Sequence, residues 1–389
     1  MRRFLITAEA VTEGHPDKIA DQIADAILDE IIKQDKYGKC SCEIMVGNNY
    51  VVVGGEINSM AWVDYNGLIR KVIKDIGYDK EGYGFCHKNT AIMNAVNRQS
   101  ADVGRLVRRA GSKKQGAGDQ GVSVGYACRE TPEMIPLAHA MAQKLAAKLA
   151  DVRKKKVLGY LRPDGKCQLT MEYRNNAAFR LDNVVISAQH DPNVAPAKIR
   201  QDIIDKVIKP VCAAFLDKQT KIFVNHRGRF VIGGPAADTG ATGRKIITDA
   251  YGSTVPSGGS SFSGKDATKI DRAGAYMARY IAKNIVAADL ADECFVRLAY
   301  IIGDTRPVEF SVETFGTNKI DEGVLERAAG KVFDLSPGGM IRQLKLSRSI
   351  YRKTSNYGHF GRPEPEFTWE KTDKIKDLQK EAAKVSKIK

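Results

Sequence analysis

No apolar run in this sequence approaches the roughly 20 residues that a membrane-spanning helix needs. The segment Met1–Ala10 carries two arginines but no long apolar core and no small-residue cleavage site, so no secretion signal is expected. Cysteine is sparse and forms no framework. Seven are scattered over 389 residues, an odd number that reads as reduced thiols in a cytoplasmic protein. Only Cys40 and Cys42 lie close together, and strand alternation is expected to turn them to opposite sides, away from a shared metal. No Ser/His/Asp set, His-rich metal motif or paired-cysteine zinc spacing stands out. Aromatic residues make up only 7%, and no nucleic-acid-binding motif accompanies them.

What remains is an ordinary globular composition, 43% hydrophobic and 28% charged, long enough for two or three filled cores. The formal charge of +15 points to a polyanionic partner. Nucleic acid, an anionic membrane and a nucleotide triphosphate all satisfy it. Part of the excess sits in Lys371–Lys389, where Lys alternates with Asp and Glu in a helical pattern that reads as a solvated terminal helix.

One pattern recurs three times. Asp17–Lys33 has apolar residues at 19, 20, 23, 24, 27, 28 and 31, the stripe of an amphipathic helix. Two β-rich runs follow, Cys42–Val46 and Tyr50–Val53, around Gly47-Asn48-Asn49, and a second helix fits Trp62–Ile76. The same order returns as Pro136–Ala150, Cys167–Gln189 and Lys198–Phe215. It returns again as Asp271–Ala287, Phe295–Thr314 and Asp321–Val332. The expectation is an α+β protein of three similar domains, each a sheet covered by helices on one face. The other sheet faces are left to be buried, for example against a second subunit. Boundaries are expected at 1–100, 101–121 (a mobile loop and linker), 122–232, 233–373 and 374–389. Glycine-rich stretches mark the joints: Gly111–Gly121, Gly233–Gly243 and Gly252–Gly264. Charged residues among those glycines suit loops that approach a charged ligand.

Four constellations could carry chemistry. Glu13-Gly14-His15-Pro16-Asp17-Lys18 stands before the first helix, whose free amides offer a phosphate seat. His15 and Lys18 add donors and Asp17 a hard oxygen for Mg²⁺; an ordinary capped helix is the alternative. From Gly259, four residues lead to Gly264-Lys265, close to a P-loop, but Asp266 replaces the Ser or Thr that would hold magnesium. No buried strand precedes it. Lys265 and Lys269 still supply charge, and Asp271 opens the next helix as metal ligand or cap. Arg229-Phe230 leads through Gly233-Gly234-Pro235 to Asp238 and Thr242-Gly243-Arg244-Lys245. Its aromatic ring suits a base and its cations suit phosphates, although a buried strand with a charged edge fits too. Gln115–Gly121 is a flexible loop bearing Asp119, and Glu43 and Glu56 flank the first hairpin. A set with many cations and no general base suits a reaction limited by alignment and by stabilising an anionic leaving group.

Taken together, EGHPDKIA (13–20), VGGE (53–56), QGAGDQG (115–121), GRFVIGGP (228–235), GRKII (243–247), FSGKD (262–266) and YGHFGR (357–362) resemble the S-adenosylmethionine synthetase family. They keep the family's order over nearly the whole chain. The resemblance implies pseudo-threefold repetition and active sites built between two subunits, as a dimer or more often a homotetramer. It also implies attack of methionine sulfur on ribose C5′ of ATP, followed by cleavage of the triphosphate. Two Mg²⁺ ions per site and K⁺ are the implied cofactors, and a cytoplasmic location without nucleic-acid or membrane partners follows. By position it assigns His15, Lys166, Arg244, Lys245 and Lys265 to the polyphosphate and catalysis. Asp17 and Asp271 fall to magnesium and Glu43 to potassium. Phe230 falls to adenine, with Arg229, Asp164 and Ser261 completing the nucleotide site. Glu56, Gln99, Asp119, Asp238 and Lys269 fall to methionine, and Asp238 is counted with the ATP contacts as well. Two departures stand out: a basic loop with Arg105, Arg108, Arg109, Lys113 and Lys114, and the serines at 260 and 261. The competing readings are a phosphotransferase, which would release ADP, and a nucleic-acid-binding protein, which would turn over no ATP.

Overall fold

The computed structural model describes residues 3–98 and 115–386. Its described strands form three sheets. The first runs β10 (Gly240–Ala241), β2 (Lys39–Gly47), β3 (Tyr50–Asn58), β4 (Ala91–Asn94), with β5 (Asn97–Arg98) also beside β3. The second runs β1 (Arg3–Val11), β7 (Leu161–Arg174), β8 (Ala177–His190), β9 (Lys221–Val224). The third runs β12 (Glu309–Glu313), β11 (Glu293–Tyr300), β6 (Gly121–Cys128).

The repeated order of helix, hairpin and helix is present. The units begin with α1 (Pro16–Gln34), α3 (Leu137–Lys154) and α5 (Ile270–Ala287). They end with α2 (Tyr65–Ile76), α4 (Pro196–Ile203) and α6 (Glu322–Val332). The expected 198–215 helix is broken: the chain widens into a π turn over Ile204–Ile208 before Pro210, a residue with no amide to give the helix. The long hairpin β7–β8 turns on Asn175 and Asn176, both left-handed at φ 50° and 64°, the two-residue turn that matches strand twist.

Chain order hides one feature. β1, β6 and β10 each leave the unit they precede and pair antiparallel in another sheet, with β7, β11 and β2 respectively. The three units are thereby laced into a ring, and each glycine-rich joint, over its described residues, runs beside a neighbouring sheet.

Two cores result. One surrounds α1, α2 and α5 and is continuous between the first and third sheets; the other lies between α3, the 196–215 segment and β7–β8. Two expectations need correction. Cys40 and Cys42 share a face of β2, because residues two apart on a strand point the same way, and both are buried in the core as free thiols. The charged tail is no solvated helix: α7 (Ile375–Ser386) buries Leu378, Ala382 and Val385, the last two against Val324 and Ala328 of α6. On the first sheet, Met45 and Met93 stand exposed on the face away from the core, and Glu43 and Glu56 lie exposed on β2 and β3.

Candidate functional site

The turn from β1 into α1 packs against the start of β7. A Cβ on Gly14 would lie 2.3 Å from the Pro163 carbonyl oxygen, so only glycine fits there. His15 caps α1, its Nδ1 accepting the Asp17 amide at 3.2 Å. That bond leaves the neutral ring's proton on Nε2. Burial pushes the His15 pKa down to about 4, Lys245 adding to the depression and Asp17 opposing it. Asp17 is itself buried. Its Oδ1 accepts the Ala241 amide at 3.0 Å and its Oδ2 accepts Lys245 Nζ at 2.6 Å. Burial raises its pKa, but the Lys245 and Ala241 bonds outweigh that and hold it below the usual carboxylate value. Arg244 stands 3.6 Å from Asp17 and is half exposed. Lys166, opposite Val11 in the β1–β7 pair, bonds Glu9 at 2.8 Å. Lys166 and the exposed Asp238 both act on His15 electrostatically. One neighbourhood therefore holds His15, Asp17, Lys166, Asp238, Arg244 and Lys245.

Asp164 and Phe230 flank it. The buried Asp164 accepts the Gly234 amide at 2.8 Å, and burial, opposed by the Gly234 and Gly165 amides, raises its pKa to about 6. Phe230 is fixed by its backbone, its carbonyl accepting from His190 N at 2.9 Å and its amide donating to His190 Nε2 at 3.2 Å. Its ring lies over Gly233, where a Cβ would approach to 2.8 Å. Arg229 donates to the Pro192 carbonyl at 3.0 Å. Tyr78, not singled out from sequence, donates to the Gly14 carbonyl at 2.6 Å and packs on Gly234, tying the first motif to the third.

A second group forms around α5. Lys265 Nζ donates to Asp271 at 2.7 Å and to Ser260 Oγ at 2.6 Å. Asp271 sits in the first turn of α5 but is no cap, since Lys269 holds that position. Lys269 pairs with Asp266 at 3.4 Å. The Gly118 amide donates to the Thr268 carbonyl at 3.1 Å, laying the Asp119 loop alongside. Ser41 bridges Lys265, which sets this group at the β2 edge of the sheet that bears Glu43 and Glu56. The two groups approach where Gly243 meets Ser261, a Cβ on the glycine lying 2.4 Å from Ser261 Oγ. Among the described residues no hydrogen bond or ion pair joins one group to the other. Gln99 and the basic positions Arg105, Arg108, Arg109, Lys113 and Lys114 lie outside the described residues.

One sequence reading changes. Lys18 is no phosphate donor: it is 2% exposed, bonded to Asp21 at 2.9 Å and Asp249 at 2.5 Å. Gly259–Lys265 is no P-loop, as Asp266 already indicated: the Gly264 amide that would cradle phosphate donates to Asp25 at 2.8 Å. Missed altogether were Asp21, Asp25 and Arg272, all fully buried. The signal for the two aspartates was present as acidic residues every fourth position of one helix, a spacing that aligns side chains on one face.

Among the described residues no cluster of three His, Cys, Asp or Glu could hold a metal alone. Asp17 and Asp271 are single hard-oxygen donors, each beside a lysine. That suits Mg²⁺, which is commonly held by one or two carboxylates together with substrate phosphates. No helix among the described residues is long and apolar enough to cross a membrane.

Family models match nearly the whole chain. They are described as S-adenosylmethionine synthetase, N-terminal domain, over residues 3–101, central domain over 114–230, and C-terminal domain over 232–371.

Proposed function

The chain belongs to the S-adenosylmethionine synthetase family, and from that premise we propose how its two side-chain groups divide the reaction. The activity is methionine adenosyltransferase: L-methionine and ATP give S-adenosylmethionine, and the triphosphate is hydrolysed to phosphate and diphosphate. Family members use ATP and normally need a divalent metal.

The thioether sulfur attacks ribose C5′, the S–C bond forms, and the C5′–O5′ bond breaks with its electron pair passing to the triphosphate. No proton leaves sulfur, so the protein supplies alignment and charge stabilisation. We assign His15 to the departing oxygen. Its pKa of about 4 keeps the ring neutral near pH 7, and the Asp17 amide on Nδ1 leaves Nε2–H to donate. Lys166, Arg244, Lys245 and Lys265 take up the charge of the triphosphate. Mg²⁺, two ions per site, would be held by Asp17 and Asp271 and would supply positive charge at the phosphate oxygens. When phosphate and metal arrive, Lys245 and Lys265 exchange their carboxylate partners for phosphate oxygens. Phe230 stacks on adenine over Gly233, with Asp164, Arg229 and Ser261 beside it. Glu56, Gln99, Asp119 and Asp238 orient methionine through its ammonium and Lys269 through its carboxylate. Glu43 takes K⁺.

The observation that carries this reading is the pairing of a lysine with a carboxylate at two separate loops, Lys245–Asp17 and Lys265–Asp271. Because the two groups share no bond in one chain, we propose that two chains pack through the exposed β2–β3–β4 face. Each site then draws one group from each chain, most simply within a cytoplasmic homotetramer. Incubation with ATP, methionine, Mg²⁺ and K⁺ is expected to give a sulfonium product with equimolar diphosphate. ADP, or no methionine-dependent product, contradicts the reading.

A further inference from the structure

The buried face of α1 carries Asp17, Asp21, Asp25 and Asp29, four residues apart and so about 6 Å apart along the axis. Each accepts backbone amides from a loop of the C-terminal half. Asp17 takes Ala241 at 3.0 Å, Asp21 takes Gly243 at 2.9 Å, and Asp25 takes Gly264 at 2.8 Å. Asp29 takes Tyr351 and Arg352, both at 2.9 Å. The two middle acceptors are fully buried.

We propose that Asp21 and Asp25 are positioning residues for adenosyl transfer, which hold the two cation-bearing loops at fixed heights on one helix by gripping the glycines before Arg244-Lys245 and before Lys265. Both glycines are left-handed, at φ 80° and 79°. Both are closely packed, a Cβ on Gly264 meeting the Cys42 carbonyl at 2.0 Å and one on Gly243 meeting Ser261 Oγ at 2.4 Å. Fixing such a residue fixes the direction of the cation that follows it. Each aspartate also closes on the far end of its loop. Asp21 shares Lys18 with Asp249, which ends the one-turn helix after Lys245. Asp25 pairs with Arg272 at 2.7 and 3.1 Å, one residue beyond Asp271, and Arg272 donates back to the Lys265 carbonyl at 3.2 Å. A buried carboxylate is costly unless paired. Here each is paired, Asp21 with Lys18 and Asp25 with Arg272, so the charge holds the side chain in place while its second role, accepting the glycine amide, depends on where the oxygen lies. Asp29 is the natural control. It grips a segment that bears none of the assigned phosphate cations.

The inference rests on the adenosyltransferase reading of the same site, so the wild-type chain is assayed alongside. An inactive wild type defeats that reading and the inference with it. With an active wild type, Asp21→Ala and Asp25→Ala are expected to lower kcat/KM for ATP at least about tenfold with the KM for methionine within twofold. Asp29→Ala is expected to lower Tm and leave kcat/KM within twofold. Asp21→Asn and Asp25→Asn keep an oxygen for the amide but lose the charge, and should recover most of the activity despite a lower Tm. If the alanine chains do not fold, Asp21→Glu and Asp25→Glu decide. They keep the charge but displace the acceptor, and should lose more activity than the Asn variants while losing less Tm. Activity that simply follows Tm across all these variants, Asp29 included, overturns the inference.

Discussion

Carboxylate–cation pairs occur in two settings on this molecule, and the contrast separates work from support. Lys245–Asp17 and Lys265–Asp271 are short, 2.6 and 2.7 Å, yet each keeps partial contact with solvent through its lysine, 20% and 17% exposed. Asp25–Arg272 is equally short at 2.7 Å, but both partners are 0% exposed, and the guanidinium is also tied to Thr354 and the Lys265 carbonyl. An incoming triphosphate with its metal can compete for the first kind of pair. It cannot reach the second. On the proposed reading the same chemistry supplies movable charge at the loop tips and a fixed frame beneath them, and burial makes the difference.

Breaking the frame should cost most. Arg272→Met leaves Asp25 buried without its cation, and we expect a stability loss of about 3–5 kcal/mol, read by denaturant unfolding. A loss below about 1 kcal/mol would show that the buried pair is no frame. Breaking the movable side should act on rate instead. Lys265→Ala and Arg244→Ala are each expected to slow the chemical step at least tenfold, about 1.4 kcal/mol of barrier, in single-turnover assays. The half-exposed Arg244 should change stability by no more than about 1 kcal/mol.

A pH titration sharpens the comparison further. The His15 pKa is depressed to about 4 from an ordinary 6.5, so folding favours the neutral ring. Its contribution to stability is complete above pH 6.5 and is lost as pH falls toward 4. An NMR titration should find a midpoint near 4, and kcat/KM should show no inflection from this residue near 6.5. A midpoint at 6.5 contradicts the role given to it. The smallest effect is expected at the sheet face: Glu43→Gln should raise the K⁺ needed for half activation about threefold while stability stays within about 0.5 kcal/mol.

How legible was this in the sequence? Most helices and hairpins of the repeat were readable because their signals are local: the α1 stripe, the Asn48-Asn49 turn, the glycines at the joints. The exchange of β1, β6 and β10 between units was not, since pairing partners such as Val11 and Lys166 are set by packing and leave no mark on either strand. The candidate loops were found through their charge and glycine content. Lys18 was misread because a lysine beside a helix start looks the same in sequence whether it faces solvent or two buried aspartates. The Asp21–Asp25 frame was written in plain spacing, yet an apolar stripe draws attention to the residues between them.

The central claim is that the His15 group of one chain and the Lys265 group of another serve one triphosphate. Co-expression of a His15→Ala chain with a Lys265→Ala chain, each strongly impaired alone and carrying different tags, tests it directly. Purified hybrids would place both lesions in one site and none in the other, so about half of wild-type turnover should return. Hybrids no more active than either parent would mean that each chain builds its site alone, and the account would be wrong.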